Sequence, residues 1–131
     1  MSQAHDHMFI MLVDDDGLTN MITTYALQSA SKALKIVAFT SGADALDTLT
    51  ALAADQQRLP DLILLDINMP IMDGWQFLDK FEPLRLPIKL CMLTSSISQL
   101  DRNRAGQYSC VAGFITKPLL AEVARSLVSP A

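Results

Sequence analysis

Five short, almost wholly apolar runs punctuate this chain: Met8 to Val13 (MFIMLV), Leu34 to Phe39 (LKIVAF), Leu62 to Ile67 (LILLDI), Ile88 to Leu93 (IKLCML) and Val111 to Ile115 (VAGFI). A strand wetted on one face alternates apolar and polar residues. A run apolar throughout suits a strand buried on both faces, as in a parallel sheet sandwiched between helices. Between the runs the period becomes helical. Leu18, Met21, Ile22, Tyr25 and Ala26 recur at helical spacing, and Ser41 with Asp44 gives a capping signal before Ala45, Leu46, Leu49 and Leu52. Asp73-Gly74 opens a third helix through Trp75, Phe77, Leu78 and Phe81, which Pro83 stops. A weaker helix covers Ser98 to Ala105 and ends at Gly106, and a last one covers Leu119 to Val128.

Apolar strands alternating with amphipathic helices predict an α/β fold with both faces of a parallel sheet covered. Right-handed crossovers then favour a doubly wound, flavodoxin-like arrangement: five strands in the order 2-1-3-4-5, with five helices. The length of 131 residues allows one domain, with a core over about 8–128 and a tail over 1–7. A composition 50% hydrophobic and 18% charged fills a core and excludes a disordered tail. The net charge of −4 argues against a nucleic-acid binder. No run approaches the length of a membrane span, and the polar start lacks a signal-peptide pattern. Cys91 and Cys110 read as reduced residues of a cytoplasmic protein. His5-Asp6-His7 falls in the tail without partner ligands, so it is not taken as a metal site.

In such sheets ligands gather beyond the carboxyl ends of the strands. Those ends carry Asp14, Asp15 and Asp16; Asp66 followed by Asn68; Thr94, Ser95 and Ser96; and Thr116, Lys117 and Pro118. Clustered carboxylates repel and call for a counter-ion or a raised pKa. An all-oxygen set suits a hard divalent cation such as Mg²⁺. A carboxylate can attack phosphorus to form an aspartyl phosphate, and Lys117 would stabilise the charge on the moving phosphoryl oxygens. Thr94 can donate to one of them. These residues together suit transfer of a phosphoryl group onto Asp66. The bland alternatives are a solvated turn with Asp16 as helix cap, a helix-capping Thr94, and a surface lysine. An acid inside the apolar run LILLD needs a stronger reason than those.

The segments LVDDD (12–16), LLDINMPIMDG (64–74), MLTSS (92–96) and GFITKPL (113–119) resemble the receiver domain of two-component response regulators, and the match runs from residue 8 to about 128. The resemblance implies Asp66 as phospho-acceptor, and Asp14, Asp15, Asp66 and the backbone carbonyl of Asn68 as ligands of Mg²⁺ (or Mn²⁺). Thr94, Lys117 and Phe114 become the phosphate-binding and switch residues, and Lys117-Pro118 a cis peptide. Asn68 and Ser96 occupy the positions that tune phosphoryl lifetime, with moderate to slow self-dephosphorylation expected. No element of the set is missing.

The implied function is a stand-alone receiver rather than a turnover enzyme. It would be phosphorylated by a sensor histidine kinase or histidine phosphotransfer protein, and would signal through a helix 4/strand 5/helix 5 face to a separate, unknown downstream protein. It would act as a monomer or a phosphorylation-dependent dimer. Donor docking is expected on the first helix near Leu18, Asn20 and Met21. Output is expected through Ile97, Leu100, Arg104, Tyr108 and Phe114. A phosphorelay intermediate or phosphate sink shares the same chemistry. A haloacid-dehalogenase-type phosphatase fits less well, because its nucleophile belongs on the first strand with a second Asp two residues on. A flavin-binding module lacks a glycine-rich phosphate loop here.

Overall fold

The computed structural model describes residues 7–95 and 97–128. The elements alternate: β1 (Met8–Val13), α1 (Gly17–Ala30), β2 (Leu34–Phe39), α2 (Gly42–Ala54), β3 (Leu62–Asp66), α3 (Gly74–Phe81), β4 (Lys89–Thr94), α4 (Gln99–Ala105), β5 (Val111–Thr116) and α5 (Ala121–Val128). The strands form one parallel sheet in the order β2-β1-β3-β4-β5, as the apolar runs predict.

Successive strand residues point to opposite faces, and the core divides accordingly. Met11, Val13, Ile63, Leu65, Leu90 and Met92 pack under α2 and α3 with Leu49, Phe77, Leu78 and Phe81. Ile10, Leu12, Leu62, Leu64, Cys91 and Leu93 pack on the other face with Leu27 of α1 and Ala124 of α5. Every residue of central β3 is buried, whereas the edge strands β2 and β5 are mostly half-buried or exposed. Both cysteines are free thiols.

The capping signals act where the sequence sets them. Ser41 Oγ accepts from Asp44 N, and Asp73 and Gln76 form a reciprocal capping box at the start of α3. Pro83 ends α3 by tightening the chain into a 3-10 turn, Glu82–Leu84. The last helix begins at Ala121 rather than Leu119, whose side chain is buried on the approach to it.

One helix carries most of its apolar stripe on the outside. The apolar stripe of α1 faces outward, with Leu18, Met21, Ile22 and Tyr25 between 47% and 74% exposed, while its buried residues are Asn20, Thr23 and Leu27. Helical periodicity reports that a helix has an apolar side, not which way that side faces.

At the amino ends of the strands, Asp61 ties three strands together. Its carboxylate accepts from Phe9 N at 2.8 Å, its N–H donates to Phe9 O at 2.7 Å, and its carbonyl accepts from Lys89 N at 3.3 Å. Arg58 pairs with the same carboxylate at 3.1 Å and donates to His7 O, and both Arg58 and Lys35 lie over the Phe9 ring.

Candidate functional site

The carboxyl ends of β1, β3, β4 and β5 meet at one rim. Asp14 follows the last residue of β1 and is 2% exposed; Asp66 is the last residue of β3 and is 4% exposed. Asp15 stands beside them in solvent, and oxygens of the three carboxylates lie within 4.8 Å of one another. Lys117, just past β5, reaches across the rim: its Nζ lies 2.7 Å from Asp14 Oδ2 and 3.1 Å from Asp66 Oδ1. Thr94 ends β4 and is buried, and its carbonyl accepts from Lys117 N at 2.7 Å. The Lys117-Pro118 peptide is cis, as expected.

Local hydrogen bonds orient each acid. Asp14 Oδ1 accepts from Asp16 N at 2.9 Å, and Asp66 Oδ1 accepts from Asn68 N at 3.3 Å. Asp16 caps α1: its carboxylate accepts from Thr19 Oγ1 and Leu18 N, which holds its pKa below the ordinary value. Asn20 is buried and donates from Nδ2 to the carbonyls of Asp14 at 3.0 Å and Phe39 at 3.4 Å. It therefore pins the turn beneath the acids and is unavailable to a docking partner, contrary to the sequence expectation. Its signal in the sequence was an amide in line with the helix's inward face.

Gly74 shows why the chain after Asp66 needs a glycine. A Cβ there would stand 2.8 Å from the Asp66 carbonyl oxygen and 2.9 Å from Ile67 Cα. Gly74 N also donates to Ile67 O at 2.8 Å, so the start of α3 is packed directly on the backbone of the acid. Between them, Ile71 is fully exposed at φ 69°, a left-handed conformation that a β-branched residue rarely takes.

The electrostatics follow from this crowding. Burial first, then the charge of Asp14, push the Asp66 carboxyl up to about 6 against the pull of Lys117. Burial draws the Lys117 ammonium down, but its bonds to Asp14 and Asp66 outweigh that and leave its pKa raised. One ammonium thus serves two buried carboxylates. Asp14 Oδ2 is buried and, apart from that ion pair, meets no hydrogen-bond donor. Three clustered carboxylates, two of them paired to the one ammonium and one with an underused oxygen, form a donor set that fits a hard divalent ion.

Phe114 is half-buried on β5 against the core under α3, and the Arg102 guanidinium lies 5.7 Å from its ring centre. Asn68 is exposed beside Asp66. Asn68, Thr94 and Lys117 stand at the rim, whereas Phe114 lies within β5, level with Met92 of β4; Ser96, His5 and Asp6 lie outside the described residues. Trp75 is buried and stacks on Tyr108 with ring centres 6.2 Å apart. No helix among the described residues is long and apolar enough to cross a membrane.

Comparisons with known proteins agree with this fold. A solved two-component response regulator from Cytophaga hutchinsonii superposes with a TM-score of 0.82 at 31% identity, covering 93% of this chain and 94% of that one. The "Transcriptional regulatory protein PrrA" of Mycobacterium tuberculosis is 31% identical over 115 residues, which are 87% of this chain but 46% of PrrA. This chain thus spans about half the length of that relative. The "Probable methanogenesis regulatory protein FilR2" of Methanothrix harundinacea is 33% identical over 124 residues, 92% of this chain and 78% of that protein. The family model for the response regulator receiver domain matches residues 10–128, and the chain belongs to that family.

Proposed function

We propose that this chain accepts a phosphoryl group on Asp66 from the phosphohistidine of a sensor kinase or phosphotransfer protein, in a reaction dependent on Mg²⁺ (or Mn²⁺). The observation that carries this reading is the placement of Asp66: a buried carboxylate at a strand end, 3.1 Å from the Lys117 ammonium and beside the Asp14/Asp15 pair. In the transfer a carboxylate oxygen of Asp66 forms the new bond to phosphorus. The phosphorus–nitrogen bond breaks, and its electron pair returns to the imidazole, which takes up a proton. Lys117 stabilises the charge on the phosphoryl oxygens, and the Thr94 hydroxyl donates to one of them. Asp14, Asp15, Asp66 and the Asn68 carbonyl would hold the cation, which supplies charge neutralisation at the phosphoryl oxygens when bound.

The outward stripe of α1 supports docking of the donor there. Leu18, Met21, Ile22 and Tyr25 are exposed on the helix that starts at the rim, and α1 contains no charged residue. Thr19, Ile22 and Thr23 also line a cavity of about 300 Å³ shared with Lys117 and Pro118. The product adds roughly two negative charges at the rim. The reorganisation of Thr94 and Lys117 around them carries the signal to the α4/β5/α5 face, where Leu100 is 79% exposed.

Incubation with acetyl phosphate and Mg²⁺, followed by intact mass and Phos-tag electrophoresis, tests the reading. One phosphoryl adduct is expected on the wild type, none after EDTA and none on Asp66→Asn. An unmodified wild type, or an adduct on the variant, would overturn it.

A further inference from the structure

α4 is attached to the molecule differently from its neighbours. α3 buries five residues, including Trp75, Phe77, Leu78 and Phe81, whereas α4 buries Ala105 alone and leaves Leu100 in solvent. Among the described residues, two arginines of α4 add contacts to aromatic rings. Arg104 lies 4.7 Å from the ring centre of Trp75 on α3, and Arg102 lies 5.7 Å from the ring centre of Phe114 on β5. The Trp75 ring is fixed in turn by Tyr108, stacked at 28°, whose hydroxyl donates to Asp79 Oδ1 at 2.5 Å. A guanidinium over an aromatic face is a weak, separable contact, unlike interdigitated apolar packing. The helix is also close to the site along the chain: Thr94 ends β4, and Ser98 caps α4 by accepting from Asp101 N.

We propose that Arg102 and Arg104 are paired latches that hold α4 on Phe114 and Trp75 in the unphosphorylated protein, and that phosphorylation releases them. They are positioning residues: neither touches the acids at the rim. The proposal rests on the reading of Asp66 as phospho-acceptor. Movement of Thr94, the last residue of β4, toward a phosphoryl group is passed to α4, the next element of the chain, and the arginine–ring contacts are the ones that give way, because α4 buries Ala105 alone. Coupling is reciprocal, so a chain without its latches switches, and is phosphorylated, more readily.

Trp75 is the sole tryptophan and therefore a reporter of the Arg104 contact. Arg102→Ala, Arg104→Ala and the double variant would be compared with wild type for Trp75 emission, acrylamide quenching and extent of phosphorylation. The donor would be subsaturating acetyl phosphate with Mg²⁺, and adducts would be counted by intact mass. In wild type, emission and quenching change on phosphorylation. Unmodified Arg102→Ala, which keeps the Arg104 side chain beside Trp75, already shifts part of the way toward the phosphorylated values. Each single variant gains roughly threefold in phosphorylation equilibrium and the double variant about tenfold, as loss of one or two such contacts implies. Circular dichroism checks that the variants fold, which is expected because both arginines are exposed. Wild-type emission and donor dependence in variants that do form the adduct would refute the latches alone. Absence of any adduct on the wild type would refute the acceptor reading, and the latches with it.

Discussion

The charge of Asp66 costs the fold free energy, and replacing it should make the metal-free protein more stable. Its carboxyl is pushed up to about 6 in the folded chain from an ordinary 3.8, because burial and then Asp14 disfavour the charged form more than Lys117 favours it. Above pH 6 both folded and unfolded forms are ionised, and folding bears the full cost. Between 6 and 3.8 the folded protein takes up a proton that the unfolded chain does not, so the cost shrinks as pH falls. Below 3.8 none remains. A displacement of about two pH units corresponds to about 3 kcal/mol. Asp66→Asn removes that cost, keeps the shape, and leaves Lys117 its closer partner Asp14 at 2.7 Å. The variant also gives up the Lys117–Asp66 attraction, which already counts against the net figure. Urea unfolding in EDTA should therefore find Asp66→Asn more stable than wild type by about 1–3 kcal/mol at pH 8. The gap should narrow by pH 5 as wild-type Asp66 protonates. Saturating Mg²⁺ should close it too, because an ion binding only the folded wild type stabilises it by about 2.7 kcal/mol at a hundred times its Kd. A variant less stable than wild type at pH 8, or a difference that ignores pH, would refute the argument.

Three other substitutions test separate parts of the site. Gly74→Ala drives a methyl into the Asp66 carbonyl and should cost about 1–3 kcal/mol by urea unfolding, with slower phosphorylation by acetyl phosphate. Ile71→Gly relieves a left-handed β-branched residue and should stabilise by about 0.5–1 kcal/mol, the strain removed less the entropy glycine adds; a lower unfolding midpoint would count against the strain. Lys117→Met leaves Asp14 and Asp66 with no ammonium between them. It should abolish detectable phosphorylation by mass and lower thermal stability at pH 8, with partial recovery in Mg²⁺.

The fold was legible because its signal is coarse and repeated. Five apolar runs spaced by helical segments leave few arrangements, and β3, buried at every residue, is the plainest instance. The site was legible for a related reason: Asp14, Asp66, Thr94 and Lys117 each stand at the end of a run, and a parallel sheet brings run ends together. The inward face of α1, with Asn20 on it, was harder to read. The stripe Leu18-Met21-Ile22-Tyr25 has the period of a core-facing helix yet lies outward, because Asn20 on the other side satisfies two backbone carbonyls that no apolar residue could. The arginine contacts of α4 were invisible for a different reason. They depend on where Trp75 and Phe114 stand in space relative to a short helix, and no periodicity encodes that.

The stitching at Asp61 gives the sheet a mechanical polarity. At one end β1, β3 and β4 are fastened through a single residue by its carboxylate, its N–H and its carbonyl. At the other end β1 and β3 finish in mutually repelling acids held by one lysine, and β4 finishes in Thr94. The sheet is thus built like a cantilever, clamped at its root and loaded at its tip. A force applied at the tip deflects the loops and helices nearest it before it strains the strands. Events at Asp66 should therefore spread sideways across the rim toward α1 and α4, while the clamped end stays still.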